Sequence, residues 1–358
     1  MRLALALAAA LVFSASAVAQ TAAPPPVPLF ASDEPLDLTL TFDHRTVTRD
    51  RSDKPPWYPA TVTHTAADGT ESTLDLGVRT RGYYRLHYLR CDVPPLRLNI
   101  RRRAAGGTVF EGQDKLKLVT HCQDGREAYE QYTLQEYLIY RAYALLTDVS
   151  FQTRLARITY VDTEGRRDPI TRWGFVIEEH DQLAERIGGR AVERGRVHPD
   201  ATDREQVALL SVFQYLVGNT DWTVTTLHNI RLVYSQARAD SLAQAGVFDG
   251  SASALMAVPY DFDWSGLIAT PYATPDPQLG ISSVRQRKFL GFCRTTDEFE
   301  AAVARLRQRE DDLYALFRDA PFLEPDVAED AVDYLAEFFE RTRTRRGVER
   351  AFRDCLGG

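Results

Sequence analysis

Four short stretches carry ionisable or amide side chains in otherwise apolar surroundings. Lys115-Leu116-Lys117-Leu118-Val119 alternates, so both lysines fall on one face of a strand and Leu116 and Leu118 on the other. A lysine on such a face offers a point charge to an anionic ligand; the same pattern also guards edge strands. Glu136 stands in the apolar run LQEYLIYRAYALL, where Arg141 is another charge. A carboxylate in a helix of that composition must be paired or hydrogen-bonded, in a structural ion pair or a functional one. Asp221 and Asn229 follow in GNTDWTVTTLHNI, an acid and an amide where a helical pattern gives way to a strand. Asn219-Thr220-Asp221 also reads as plain turn chemistry. Asp261 and Asp263 leave the apolar segment AVPY together in DFDWSG. Acids at i and i+2 share one face of an extended chain and can meet one hard cation, although paired acids also occur in turns.

The hydrophobic period shows which elements must position these residues. Residues 36–42 (LDLTLTF), 58–65 and 73–81 alternate as strands, and 96–100 and 115–119 are two more, with the Gly106-Gly107 turn between them. Over 126–147 the period becomes helical: Leu134, Leu138 and Leu145 mark one face, and Ile139, Tyr140 and Tyr143 cover another. A helix apolar on most sides is a buried helix. Strands are expected at 154–161 and 173–178. The second half reads as helices over 181–188, 203–217, 296–318 and 326–344, interrupted by strands near 229–235 and 255–260. The pattern implies an α+β, bilobal chain: a β-rich N-lobe over 36–180 with one buried helix, and a mainly helical C-lobe over 181–358 carrying the acid-bearing hairpin.

The residues come in a telling order: strand lysine, buried-helix glutamate, helix-to-loop aspartate, asparagine, then Asp-x-Asp after a hairpin. Phosphoryl transfer from a nucleotide requires that order in protein-kinase-like folds. The stretches GNTDWTVTTLHNIRLVY and AVPYDFDWSGL resemble the spore-coat protein H (CotH) kinase-like family, with its Gly-x-x-Asp segment, Asn-led strand and Pro-aromatic-Asp-x-Asp segment. Upstream, VRTRGYYR resembles the family's Arg-Gly strand, KLKLVTHCQDGREAYEQYTLQEYL its strand-then-helix, and TRWGFVIEEHDQLAERIG its hinge strand, so the likeness spans roughly 75–270. The resemblance implies a bilobal protein-kinase-like fold with Asp221 as the catalytic acid. It implies Asn229 and Asp261 as metal ligands, Asp263 as a second or auxiliary one, Lys117 on the phosphates, Glu136 as its partner, and Glu178 at an interlobe hinge beside the nucleotide. The implied cofactors are Mg²⁺ or Mn²⁺ with ATP as phosphate donor, and the implied acceptor is a protein or small molecule. The sequence departs from ordinary kinases in having no Gly-x-Gly-x-x-Gly loop and no His-Arg-Asp. Lys115 is not distinguished from Lys117 as the phosphate contact, and Arg79 or Arg81 is an alternative. Against this enzyme stands a non-enzymatic envelope or assembly protein with the same fold. A metal-dependent phosphohydrolase would lack the His cluster expected beside its acids, and no Gly-x-Ser-x-Gly elbow supports a serine hydrolase.

The chain begins as an exported protein does. Arg2, the apolar run Leu3 to Phe13 and Ala17-Val18-Ala19 read as a signal peptide over 1–19, so the mature chain is expected to start at Gln20. A Pro-rich linker follows over 20–35. With 358 residues and 44% hydrophobic content there is material for a sizeable core. The formal charge of −7 argues against general nucleic-acid binding. No later stretch is apolar enough to span a bilayer, so the expected destination is periplasmic, cell-surface or extracellular. Four cysteines in such a chain imply two disulfides; of three possible pairings, sequence order favours Cys91–Cys122 and Cys293–Cys355.

Overall fold

A computed structural model describes residues 28–89, 91–246 and 254–356; the expected signal peptide and the first part of the expected Pro-rich linker lie outside the described residues. The chain runs through β1 (Leu36–Phe42), α1 (His44–Arg49), β2 (Tyr58–Thr65), β3 (Glu71–Thr80), α2 (Tyr83–His87), β4 (Leu96–Ile100), β5 (Lys115–Val119), α3 (Glu127–Ala144), β6 (Thr153–Asp162) and β7 (Ile170–Ile177). It continues through α4 (His180–Arg186), β8 (Gly189–Val192), α5 (Arg204–Val217), β9 (Ile230–Ser235), α6 (Gln236–Gln244), β10 (Leu255–Pro259), α7 (Thr296–Arg307), α8 (Glu310–Arg318), α9 (Pro325–Arg341) and α10 (Arg345–Phe352).

Alternation in the first half fills the inside of a closed seven-stranded barrel in the order β1-β2-β3-β4-β5-β7-β6. Leu38, Leu40, Val62, Leu76, Leu98, Leu116 and Ile158 pack in its interior, while their alternate neighbours face outward. Closure comes from β1, which pairs antiparallel with β2 on one side and parallel with β6 on the other, Leu36 opposite Ala156 and Phe42 opposite Asp162. A closed sheet leaves no free edge.

This closure corrects the expected bilobal protein-kinase-like architecture. The β-rich part is a barrel, and the second half is not simply helical, since β10, β9 and β8 form a separate antiparallel sheet. Nor is the buried helix enclosed within a lobe of its own. One continuous core joins Leu134, Leu138 and Tyr143 of α3 to Val119, Leu155 and Phe175 of the barrel strands and to Phe213, Phe317 and Phe338 of later helices. A helix apolar all round needs cover on every side, and α3 finds it by lying between the barrel and α8. The helix expected over 296–318 is two, α7 ending with its cap at Gln308 and α8 beginning at Glu310.

Both expected disulfides are present, Cys91–Cys122 and Cys293–Cys355. The first ties the segment after α2 to the end of β5, and its sulfurs pack with Tyr129 and Tyr272. The second fastens the segment before α7 to the C-terminal end of the described chain. No helix among the described residues is long and apolar enough to cross a membrane. The bridges close loops of 31 and 62 residues, for which chain-entropy reasoning gives about 4 kcal/mol each. The double variant Cys91→Ser/Cys122→Ser should therefore lose about 3–4 kcal/mol of unfolding free energy, read from denaturant midpoints; an unchanged midpoint would contradict the pairing.

Candidate functional site

The acids singled out in the sequence converge. Helix α5 starts on an Asp203 cap that accepts from Gln206 N–H and stops at Gly218, whose φ of 67° is left-handed. A Cβ there would meet Tyr334 Oη at 2.0 Å, so only glycine lets the chain turn away at this point. Asn219 Oδ1 then accepts from Asp221 N–H at 2.9 Å, and Trp222 Nε1 donates to Asn219 O at 3.1 Å. These bonds fix the loop that carries Asp221. Thr223 and His228 pair across it, and the chain enters β9 directly after Asn229. On the neighbouring strand, Tyr260 N–H donates to Asn229 O at 3.0 Å, and Asp261 N–H donates to Tyr140 Oη at 2.8 Å. Asn229 (φ 52°) and Asp261 (φ 65°) both hold left-handed backbones. Such conformations are costly for an aspartate and persist where the surroundings impose them.

These residues line one cavity of about 470 Å³. Arg81 and Arg85 enter it from the β3–β4 connection, Glu136 from α3, Asp221 and Asn229 from the loop after α5, and Asp261 and Asp263 from the chain after β10. A small inner chamber adjoins it, bounded by Arg81, Glu136 and Asp261 and closed by Lys117, Phe151 and Tyr260.

Glu136 is paired, but not with Lys117. Arg85 Nη2 lies 3.0 Å from Glu136 Oε2, and Arg85 Nε donates to Asp263 Oδ2 at 3.0 Å. Tyr272 Oη donates to the same Asp263 oxygen, also at 3.0 Å. Burial opposes the Arg85 charge, but Tyr272, Asp263 and Glu136 outweigh it and hold the guanidinium firmly protonated. Among the described residues, Glu136, Asp221, Asp261 and Asp263 share the cavity lining with the guanidiniums of Arg81 and Arg85 and the imidazole of His228. Burial, reinforced by Asp263 and opposed by Arg85, lifts Glu136 to about 7. Asp261 is pushed well above the carboxylate range by burial first, then by the charges of Asp263 and Glu136. Acids crowded in a desolvated place hold on to their protons, Glu136 and Asp261 among them.

The inner chamber has a cationic side, formed by Lys117 and Arg81. Burial lowers Lys117 to about 8, with Arg81, Arg231 and Arg97 pressing in the same direction and Glu179 against it. Its Nζ lies 5.5 Å from the Phe151 ring and 5.9 Å from that of Tyr260. Arg97 pairs with Glu179 at 2.9 Å. Nε of Arg81 and Nε of Arg97 are buried donors with no partner among the described residues, an arrangement that costs stability unless an acceptor arrives. Lys115 bonds Asp114 at 2.9 Å and lies outside both chambers, which separates it from Lys117. Glu178 is outside as well: its carboxylate takes Arg186 at 2.9 and 3.0 Å and accepts from Gln152 N–H at 3.0 Å.

Asp221 is clamped. His228 Nε2 meets its Oδ1 at 2.9 Å, and Asn229 Nδ2 donates to its Oδ2 at 3.0 Å and to its main-chain oxygen at 2.7 Å. The hydrogen bond to Asp221 raises the His228 pKa. Arg85, Arg97, Arg231 and His228 were not anticipated from the sequence; the dipeptide His228-Asn229 beside Asp221 was the one local signal.

No protein-family model matches the chain, and no curated protein does either. The case for the site therefore rests on its geometry. For a metal, the available donors are all oxygen: the Asp261 carboxylate, which no donor bonds among the described residues, the side-chain oxygen of Asn229, and the second oxygen of Asp263. No group of three His, Cys, Asp or Glu side chains among the described residues is disposed to hold an ion by itself. The set fits a hard cation that keeps most of its coordination from water and phosphate, as Mg²⁺ does, and does not fit a closed protein cage.

The charge imbalance has a measurable consequence. A carboxyl whose folded pKa is raised contributes stability that is present below its unfolded pKa, near 4.5, and lost as pH rises through about 7. The Glu136→Gln variant should match the wild type near pH 5 and exceed it by up to about 3 kcal/mol at pH 8, measured without added metal. Comparing the two proteins cancels the opposing contributions of the buried histidines. A difference independent of pH would contradict the charge balance described.

Proposed function

We propose that the chain is an exported phosphotransferase, moving a phosphoryl group from a nucleotide, with ATP as the donor, to an acceptor hydroxyl. The observation that carries this reading is a pair of adjoining chambers in which Lys117 and the unpartnered Nε of Arg81 stand beside an oxygen-donor edge, with a clamped aspartate in the outer one. Lys117 and the Nε donors of Arg81 and Arg97 are suited to the nucleotide phosphates. Asp261 and Asn229, with the free oxygen of Asp263, would hold Mg²⁺ or Mn²⁺, which when bound supplies neutralisation of phosphate charge.

Asp221 takes a different part. Its two oxygens are fixed by His228 and Asn229, so the carboxylate has a set direction from which to accept a hydroxyl proton. The acceptor oxygen then bonds to the terminal phosphorus while the bond to the nucleoside diphosphate oxygen breaks. Positioning and charge neutralisation are the main demands of this chemistry. Arg85 holds Glu136 and Asp263 in place and excludes water from the base of the cavity.

The roles separate experimentally. Asp261→Asn should abolish Mg²⁺-dependent nucleotide binding in calorimetry. Asp221→Asn should keep nucleotide affinity within about three-fold and lose turnover by about 10²–10⁴-fold in a labelled-phosphate assay. Lys117→Met should weaken nucleotide binding about ten-fold or more, and Lys115→Met should not. A wild type that binds no nucleotide with either Mg²⁺ or Mn²⁺ would sink the enzyme reading in favour of a non-enzymatic envelope or assembly role.

A further inference from the structure

Helix α2 has one buried residue, Leu86, and presents tyrosines to solvent: Tyr83 is 68% exposed and Tyr88, its C-cap, 63%. Aromatic rings are costly to leave in water, and a cluster of them beside a cavity marks a binding surface. The cluster is ordered by its own contacts. The Tyr84 ring stands edge-on to Trp264 at 5.1 Å and stacks on Tyr88 at 5.3 Å, and Tyr83 meets Tyr88 at 5.9 Å. Tyr83, Tyr84 and Trp264 line the same cavity as Asp221 and Asp261. They stand at its Asp263 end, whereas Lys117 closes the inner chamber against Phe151 and Tyr260.

Among the described residues, the ionisable side chains of α2 face other groups. Arg85 turns inward to Glu136 and Asp263, and His87 lies 3.9 Å from Asp53. What it offers a ligand is ring faces and phenol hydroxyls. That complements a neutral molecule with an apolar face and a hydroxyl edge. A strand-adding peptide is a poorer match, because it needs a free backbone edge, and the α2 backbone is engaged in its own turn, Tyr88 N–H donating to Tyr84 O at 2.9 Å. A folded protein partner needs about 800 Å² of its own surface covered, far more than one helical turn presents.

We infer that the tyrosine shelf of α2 and Trp264 form the acceptor subsite, and that the acceptor is a carbohydrate whose ring lies on the shelf with one hydroxyl directed to Asp221. This rests on the phosphotransfer reading of the adjoining site. The sugar O–H gives its proton to the Asp221 carboxylate, the sugar oxygen bonds to the terminal phosphorus of a nucleoside triphosphate, and the nucleoside diphosphate leaves. The cavity size falls in the range of small-molecule sites.

The test is calorimetry on the mature protein, without nucleotide, against cellohexaose, chitohexaose and maltohexaose, with an alternating Ser-Gly decapeptide as the peptide arm. At least one hexasaccharide should bind, and Tyr83→Ala/Tyr88→Ala should weaken it about ten-fold or more with an unchanged melting temperature. Binding of no hexasaccharide, binding unmoved by the tyrosine variant, or shelf-dependent binding of the peptide alone would each overturn the inference. Nucleotide binding, measured separately, decides the other reading. Sugar binding at the shelf without nucleotide binding removes the acceptor role and the phosphotransfer reading, whereas nucleotide binding without sugar binding removes the shelf proposal alone.

Discussion

Arg85 leaves α2 and meets Glu136 of α3 and Asp263 of the chain beyond β10, each at 3.0 Å. Three segments far apart in sequence are thereby pinned to one guanidinium. Its planar fork suits two carboxylates at once, which a lysine would not. The pairing is buried, so its net contribution to stability is small, but removing Arg85 strands Glu136 and Asp263 together, an uncompensated charge that costs about 3–5 kcal/mol. The cavity floor, the seat of Asp261 and the approach of α2 all follow from this contact. The Cys91–Cys122 bridge supports it by anchoring the chain just after α2.

The same contact leaves the site unbalanced. With Arg85 bound to Glu136 and Asp263, Asp261 has no cation of its own, and it sits on a left-handed backbone next to left-handed Asn229. Beside Lys117, Arg81 and Arg97 keep buried Nε donors with no partner among the described residues. On the proposed function, a metal-bound nucleotide would bring a cation to the acids and phosphate oxygens to the arginines. Stability withheld in the free protein becomes binding energy when the missing charges arrive, a common compromise at working sites.

Much of this was legible in the sequence, and the failures have physical causes. Alternation located β1, β2, β4 and β5 to the residue, because one face of each strand fills the barrel. What alternation cannot say is which edges join, so the parallel pairing of β1 with β6, and hence the barrel, was invisible. The need for a partner at Glu136 was readable from its apolar helix, but the partner was not, since Arg85 sits in RGYYR, a stretch without period. Glu178 and Glu179 show a one-residue slip: successive residues leave a strand on opposite sides, so Glu178 meets Arg186 while Glu179 reaches Arg97. Asp221, Asn229 and Asp261, which line one cavity, stand out in the sequence because a helix stop and two strand ends leave polar residues where apolar ones would otherwise continue.

The account turns on Asp261 as the carboxyl, without a basic partner among the described residues, that a cation arriving with a nucleotide would engage. Anomalous scattering from crystals grown with Mn²⁺ and a non-hydrolysable ATP analogue measures this directly. The account predicts a Mn²⁺ peak in direct contact with the Asp261 carboxylate and the Asn229 side-chain oxygen, with phosphate oxygens completing its shell and Lys117 and Arg81 on the phosphates. A nucleotide bound with no metal at Asp261, or a metal–nucleotide complex seated elsewhere on the molecule, would contradict it.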